Sequence, residues 1–200
     1  MKRNVVKFSF ITFLIVCLAL MAGGCSPTEG SSSTKKDDVQ ELINDVYHDG
    51  VFVFEELAWS SPEEEIVKRK KLEDGKDEVG NYIKKDEAFA MEKGSLEKSA
   101  VYVMSDGQFV SGEYLISTTD RELFTDFVND LREAAAESLP EPMGNSLEDL
   151  KQVESFPTVL WEAEDGSSLK IAVMDVGNQE EYWLQVKSSS PLLGKESLAP

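Results

Sequence analysis

The stretch SAVYVMSDGQFVSGEYLISTTDRELFTDFVNDLREAAAES, residues 99–138, carries the decisive pattern of this chain. Ala100 to Met104 is a β-prone run, Asp106-Gly107 is hairpin-turn chemistry, and Gln108 to Ile116 is the matching partner strand. The period then changes from two to 3.6. Leu123, Phe124, Phe127, Val128, Leu131 and Ala135 fall on one helical face. Thr119-Asp120-Arg121-Glu122 reads as the capping box that starts this helix, and Pro140 and Pro142 stop it just beyond Ser138. A hairpin followed by a long amphipathic helix is the signature of helices packed on an antiparallel sheet.

Outward from this centre the same architecture continues. Thr158 to Ala163 and Leu169 to Val176 flank a turn at Glu164-Asp165-Gly166-Ser167, giving a second hairpin, and Tyr182 to Lys187 adds a strand. On the N-terminal side, Val39, Leu42, Ile43, Val46 and Tyr47 make an apolar helical face that begins at Asp37 and Asp38, with Gly50 after its last turn. Val51 to Phe54 reads as a strand. Ser61-Pro62-Glu63-Glu64 reads as an N-cap, a first-turn proline and a capping-box glutamate opening a short exposed helix that runs to Leu72. Ser146 to Val153 adds a helical turn. Residues 73–98 stay open: Val79, Tyr82 and Ile83 suit a helix, Ala88 to Met91 either state. The expected fold class is α+β, an antiparallel sheet with two or three packed helices in a single domain over 37–188, ahead of a loose tail at 189–200.

The first residues have another logic. Lys2, Arg3 and Lys7 precede a fifteen-residue apolar run from Phe8 to Ala22, then Gly23, Gly24 and Cys25. The run contains Ser9 and Thr12 and falls short of the roughly 20 apolar residues a membrane span needs. This segment resembles the signal peptide of a bacterial lipoprotein, in which the cysteine thiol carries a diacylglycerol and becomes the mature N-terminus. Residue 22, three positions before the cysteine, is alanine, where the commonest form of this motif has leucine. The resemblance implies a signal peptide at 1–24, lipid attachment at Cys25, and a chain held on the extracytoplasmic side of the cell membrane by its lipid. Over 100–187 the pattern of strands and helix loosely resembles small lipoproteins of Gram-positive bacteria whose function is uncharacterised, a likeness that transfers no activity.

Ser26 to Lys36 has nothing apolar to bury and reads as a flexible tether, so 25–36 is the lipidated N-terminus and its linker. As a coil it spans roughly 18 Å and at most about 38 Å. The formal charge of the chain is −18, and losing Lys2, Arg3 and Lys7 with the leader takes it to −21. That balance argues against nucleic-acid binding, which needs cations for phosphate. Of two cysteines, Cys17 lies in the leader and Cys25 is the lipid site, so the folded part has no cysteine left for a disulfide, a thiolate nucleophile or a thiolate-ligated metal.

Chemistry is sparse in the remainder. His48, the only histidine, stands beside Asp49 at a helix end, and no Gly-x-Ser-x-Gly elbow supplies a nucleophile. Asp74-Gly75-Lys76-Asp77-Glu78 lacks the alternating oxygen ligands and closing glutamate of a calcium loop. Neither a catalytic set, a metal site nor a cofactor is expected. Trp161 alternates with Val159 and Ala163 and Trp183 sits between Tyr182 and Leu184, so one or both read as core positions, whereas Trp59, in Leu57-Ala58-Trp59-Ser60-Ser61, is the candidate partner-binding residue. The expectation is a non-enzymatic envelope lipoprotein with a binding, sensing or accessory role, whose partners are the bilayer and an envelope protein. The alternative is an envelope hydrolase or inhibitor working through surface carboxylates or an exposed loop.

Overall fold

The computed structural model describes residues 33–72, 76–91, 93–175, 177 and 180–193. The expected signal peptide, Cys25 and the tail from Gly194 lie outside the described residues, as do Asp74 and Gly75 of the Asp74–Glu78 loop.

The fold is α+β. Helix α1 spans Ser33–Val46, and Tyr47–His48 (β1) and Val51–Phe52 (β2) form a small ribbon, followed by helix α2, Glu63–Lys70. Strands β3 (Tyr82–Lys85), β4 (Phe89–Met91), β5 (Gly94–Ser105) and β6 (Gln108–Thr118) lead into helix α3, Arg121–Ser138. Two 3₁₀ turns, Leu147–Lys151 and Val153–Ser155, precede β7 (Thr158–Glu162), β8 (Ser168–Met174) and β9 (Tyr182–Ser189). The main sheet has the order β3-β5-β6-β9-β8-β7, entirely antiparallel, with β4 pairing β5 beyond the end of β3. After β6 the chain crosses one face of the sheet as α3, starts again at the far edge, and works back until β9 closes onto β6. The long β6–β9 pairing is therefore the seam between two hairpins that the sequence makes separately.

Period-two alternation puts one residue set on the helix side. Across the sheet, Ala100, Tyr114, Val186, Ile171 and Val159 stand in register, all buried. Against them α3 buries Leu123, Phe124, Phe127, Val128, Leu131, Ala134 and Ala135, and α1 buries Val39, Leu42, Ile43 and Val46. The two helices pack along one another and are also linked by Gln40 Nε2 donating to Ser138 Oγ at 3.1 Å. Burial of these apolar faces is the main driving force for the arrangement.

Several boundaries differ from expectation. Helix α1 begins at Ser33, so residues 33–36 extend the helix rather than ending the tether, and Gly50 is not a helix cap. Asp49 and Gly50 both have positive φ (51° and 87°) and make the tight turn between β1 and β2. The cap of α3 is Asp120, whose side chain accepts from Leu123 N at 3.1 Å, one residue later than Thr119. A carboxylate is a strong acceptor at a helix's positive end. At α2 the expected Ser61 cap does not form: Pro62 holds the cap position with no side-chain hydrogen bond. Ser61 is extended instead, its carbonyl accepting from Phe109 N at 2.9 Å, because segment 60–63 runs beside the start of β6. Tyr82 and Ile83 are in strand, not helix. At the C-terminus β9 runs to Ser189, and Ser189 and Ser190 are buried, so the ordered domain outlasts residue 188.

Candidate functional site

Three clusters bring chemistry-bearing side chains together. The first lies under the start of the sheet. Phe54 to Leu57 closes a tight turn through Leu57 N–H to the Phe54 carbonyl at 2.9 Å, with Glu55 and Glu56 at φ 48° and 55°. That backbone is the one Asn-Gly pairs usually supply, and for two glutamates it is strained. Glu55 is fixed by tertiary contacts. Its carboxylate accepts from Tyr102 at 2.8 Å and Tyr114 at 2.9 Å, and Lys70 Nζ lies at 2.6 Å. Tyr114 Oη is also 2.8 Å from Asp45 Oδ2, near the end of α1.

A phenol has one proton to give, yet Tyr114 meets two carboxyl groups. The network is complete when Asp45 carries a proton and donates to Tyr114, which donates in turn to Glu55. The surroundings favour that distribution. Burial pushes the Asp45 carboxyl up, opposed by the Tyr114 hydrogen bond and reinforced by the nearby Glu55 charge. Burial also acts upward on Glu55, but the hydrogen bonds from Lys70, Tyr102 and Tyr114, with the Lys70 charge, outweigh it and hold Glu55 below the usual range. Tyr102 and Tyr114 are both pushed well above ordinary phenols, first by burial and then by the Glu55 charge. Both tyrosines are buried, and neither groove described next is lined by any of these groups. The cluster joins α1, a strained turn and the sheet; it is a lock, not an entrance.

The second cluster lies along α2, in a shallow groove of about 670 Å³ bounded by Glu63, Val67, Lys68 and Tyr82. Here Tyr82 donates to Glu63 Oε1 at 2.7 Å and Lys76 Nζ reaches the same oxygen at 2.7 Å, so the polar groups satisfy one another.

The third is a cleft of about 630 Å³ at the end of the sheet, lined by the first residue of α3, by the second 3₁₀ turn, and by Asp175, Gly177 and Glu181 between β8 and β9. Its lining includes Phe156, Tyr182, Trp183, Met174 and Val173, with Arg121, Glu154, Asp175 and Glu181 among its charged residues. Arg121 and Glu154 form an ion pair. Tyr182 packs on Phe124 at 5.5 Å between ring centres, and Trp183 Nε1 donates to Glu181 Oε2 at 3.1 Å. Phe156 is left-handed (φ 51°, ψ 55°) and 47 % exposed, although it precedes Pro157. The cleft's volume lies within the range of small-molecule sites.

Trp59 stands elsewhere. It is half-buried, its indole stacks on Phe109 at 5.2 Å, and its N–H is spent on the Phe52 carbonyl at 3.0 Å. Trp161 is core, donating to the Pro140 carbonyl at 2.9 Å. His48 lies in β1, with Asp49 Oδ2 3.1 Å from its Nε2. Asp77 organises its own loop, accepting from Val79 N at 3.0 Å and Asn81 N at 2.7 Å. Among the described residues, no group of three or more His, Cys, Asp or Glu side chains is gathered to hold a metal, and no helix is long and apolar enough to cross a membrane. No family model matches the chain, and neither a curated protein nor a solved structure matches it.

Proposed function

We propose that the chain is a lipoprotein of the cell envelope, moored through Cys25 outside the membrane, whose α+β domain has a non-catalytic binding, sensing or accessory role. The observation that carries this reading is the leader: three cations, a largely apolar run of fifteen residues, two glycines and then Cys25. Two acyl chains at that sulfur hold a protein stably, at about 0.8 kcal/mol per buried methylene. The high negative charge keeps the domain soluble and off anionic headgroups. The cleft at the sheet end supports a binding role.

A second reading, acid–base catalysis in the envelope, draws on Asp45 and Glu55, two carboxyl groups whose surroundings push them in opposite directions. Their enclosure beneath Tyr114 favours the structural role.

Metabolic palmitate labelling with intact-mass spectrometry tests the anchor. The expected result is label on the wild-type protein, membrane fractionation, and loss of both in Cys25→Ala. Label that survives the substitution, or a free thiol in the mature protein, refutes it.

A further inference from the structure

From the sheet-end cleft we infer a binding site for an organic cation, an ammonium or guanidinium group on an apolar body. This deepens the binding role proposed above and does not depend on the anchor. Three observations converge. The lining brings together Phe156, Tyr182 and Trp183, whose ring faces attract cations. Asp175 and Glu181 add two carboxylates on the same cleft, and neither is ion-paired among the described residues. Among the described residues, Asp175 Oδ1 accepts the Gly177 N–H at 2.8 Å, and Glu181 accepts the Trp183 N–H. The single cation in the lining, Arg121, is already neutralised by Glu154.

The third observation is Phe156 itself. A bulky side chain in the left-handed region is costly, and a following proline adds restriction. A folding role would put the ring in the core, yet it is half exposed at the cleft. Strain that delivers an exposed aromatic ring to a cavity is the pattern of a ligand contact. With a chain charge of −18, long-range attraction works in the same direction.

The test is titration of the full chain in non-ionic detergent, read by NMR at the Trp183 indole N–H, assigned by its loss in Trp183→Phe. Three probes share one shape: phenethylamine, 2-phenylethanol and phenylacetate. A fourth, a blocked tripeptide with one arginine between two leucines, separates a polypeptide source of the cation from a free amine. Phenethylamine is expected to bind about 10-fold tighter than phenylacetate, with the alcohol between, and the gap shrinks with salt. Phe156→Asn, which suits the left-handed backbone and so keeps the fold, weakens the cation about 5-fold. Asp175→Asn with Glu181→Gln brings phenethylamine close to 2-phenylethanol. A tripeptide that outbinds phenethylamine assigns the site to polypeptide, and one that does not assigns it to free amines. Phenylacetate binding as well as phenethylamine, or affinities indifferent to both sets of substitutions, overturns the inference. That failure leaves palmitate labelling of Cys25 untouched, so the two readings fall separately.

Discussion

Gly112→Ala tests the packing of the core at its tightest point. Gly112 sits within β6, opposite Tyr102 on one side and Ser188 on the other. A Cβ added there would stand 2.1 Å from Phe54 Cδ1, 2.2 Å from Cγ and 2.7 Å from Cε1. Carbon atoms pack at about 3.5–4.0 Å, so the ring has to retreat by well over 1 Å. It has nowhere to go: Phe54 is fully buried, with Tyr114, Tyr102 and Phe109 at 4.8, 5.6 and 6.4 Å between ring centres. Overpacking costs about 1–3 kcal/mol when neighbours yield, and an enclosed ring places this case at about 3 kcal/mol or above. The reduced backbone freedom of unfolded alanine returns only about 0.4–1 kcal/mol. Phe54→Ala alone should cost about 3–5 kcal/mol by leaving a cavity. In that cavity the new methyl fits, so the double substitution should cost no more than Phe54→Ala by itself. Urea unfolding at neutral pH, followed by tryptophan fluorescence, gives the four stabilities of the cycle. Additivity within about 0.5 kcal/mol would refute the reasoning, since it would mean that methyl and ring do not compete for one space. Phe54→Leu serves if the alanine variant is too unstable to measure.

Other expectations concern the tyrosine–carboxylate lock and the strained cleft residue. Asp45→Asn keeps a donor for Tyr114 and cannot ionise, so stability at pH 7 should be unchanged or raised by up to about 1 kcal/mol. Because the native Asp45 pKa is raised, the wild type loses stability as pH climbs from 3.8 through that native value, so the variant's advantage should vanish below it. A loss above about 1 kcal/mol at pH 7 contradicts the proton placement. Glu55→Gln leaves Lys70 without its partner and should cost about 3 kcal/mol at neutral pH. The native Glu55 pKa is lowered, so its contribution is complete above 4.5 and disappears as pH falls through the native value. Unfolding curves between pH 3 and 7 should therefore bring Glu55→Gln and wild type together in acid. Phe156→Asn relieves left-handed strain and should stabilise the fold by about 1 kcal/mol while weakening the cation site. A destabilised Phe156→Asn would place that ring in a structural role.

Much of the fold was legible because its signals are local. Asp106-Gly107, both at positive φ, closes the β5–β6 hairpin where turn chemistry put it, and the apolar stripe of α3 is the stripe it buries. The open stretch 73–98 is different in kind. Tyr82 to Lys85 and Phe89 to Met91 are edge strands held by β5, and few of their side chains are buried, so no alternation announced them. The candidate site was hardly legible at all. Trp59 drew attention as an aromatic following a strand, and the structure stacks its ring on Phe109 and spends its N–H on the Phe52 carbonyl. Phe156, in Glu154-Ser155-Phe156-Pro157, was not singled out by the sequence, and its backbone angles are what distinguish it.

By itself the sequence determined the elements whose causes lie within a few residues: two hairpins, the long helix and its stop, and the leader pattern that ends at Cys25. Tertiary structure decided what depends on distant partners. Glu55 and Glu56 take a turn that no local preference favours, because Tyr102, Tyr114 and Lys70 bind the carboxylate that the turn presents. Likewise β6 joins β9, and Arg121, Phe156 and Trp183 meet at one cleft, only after α3 has carried the chain across the sheet. Local preference is short-ranged, whereas the hydrogen bonds that meet at Tyr114 and the ring lodged on Gly112 exist only when residues tens of positions apart are brought into contact.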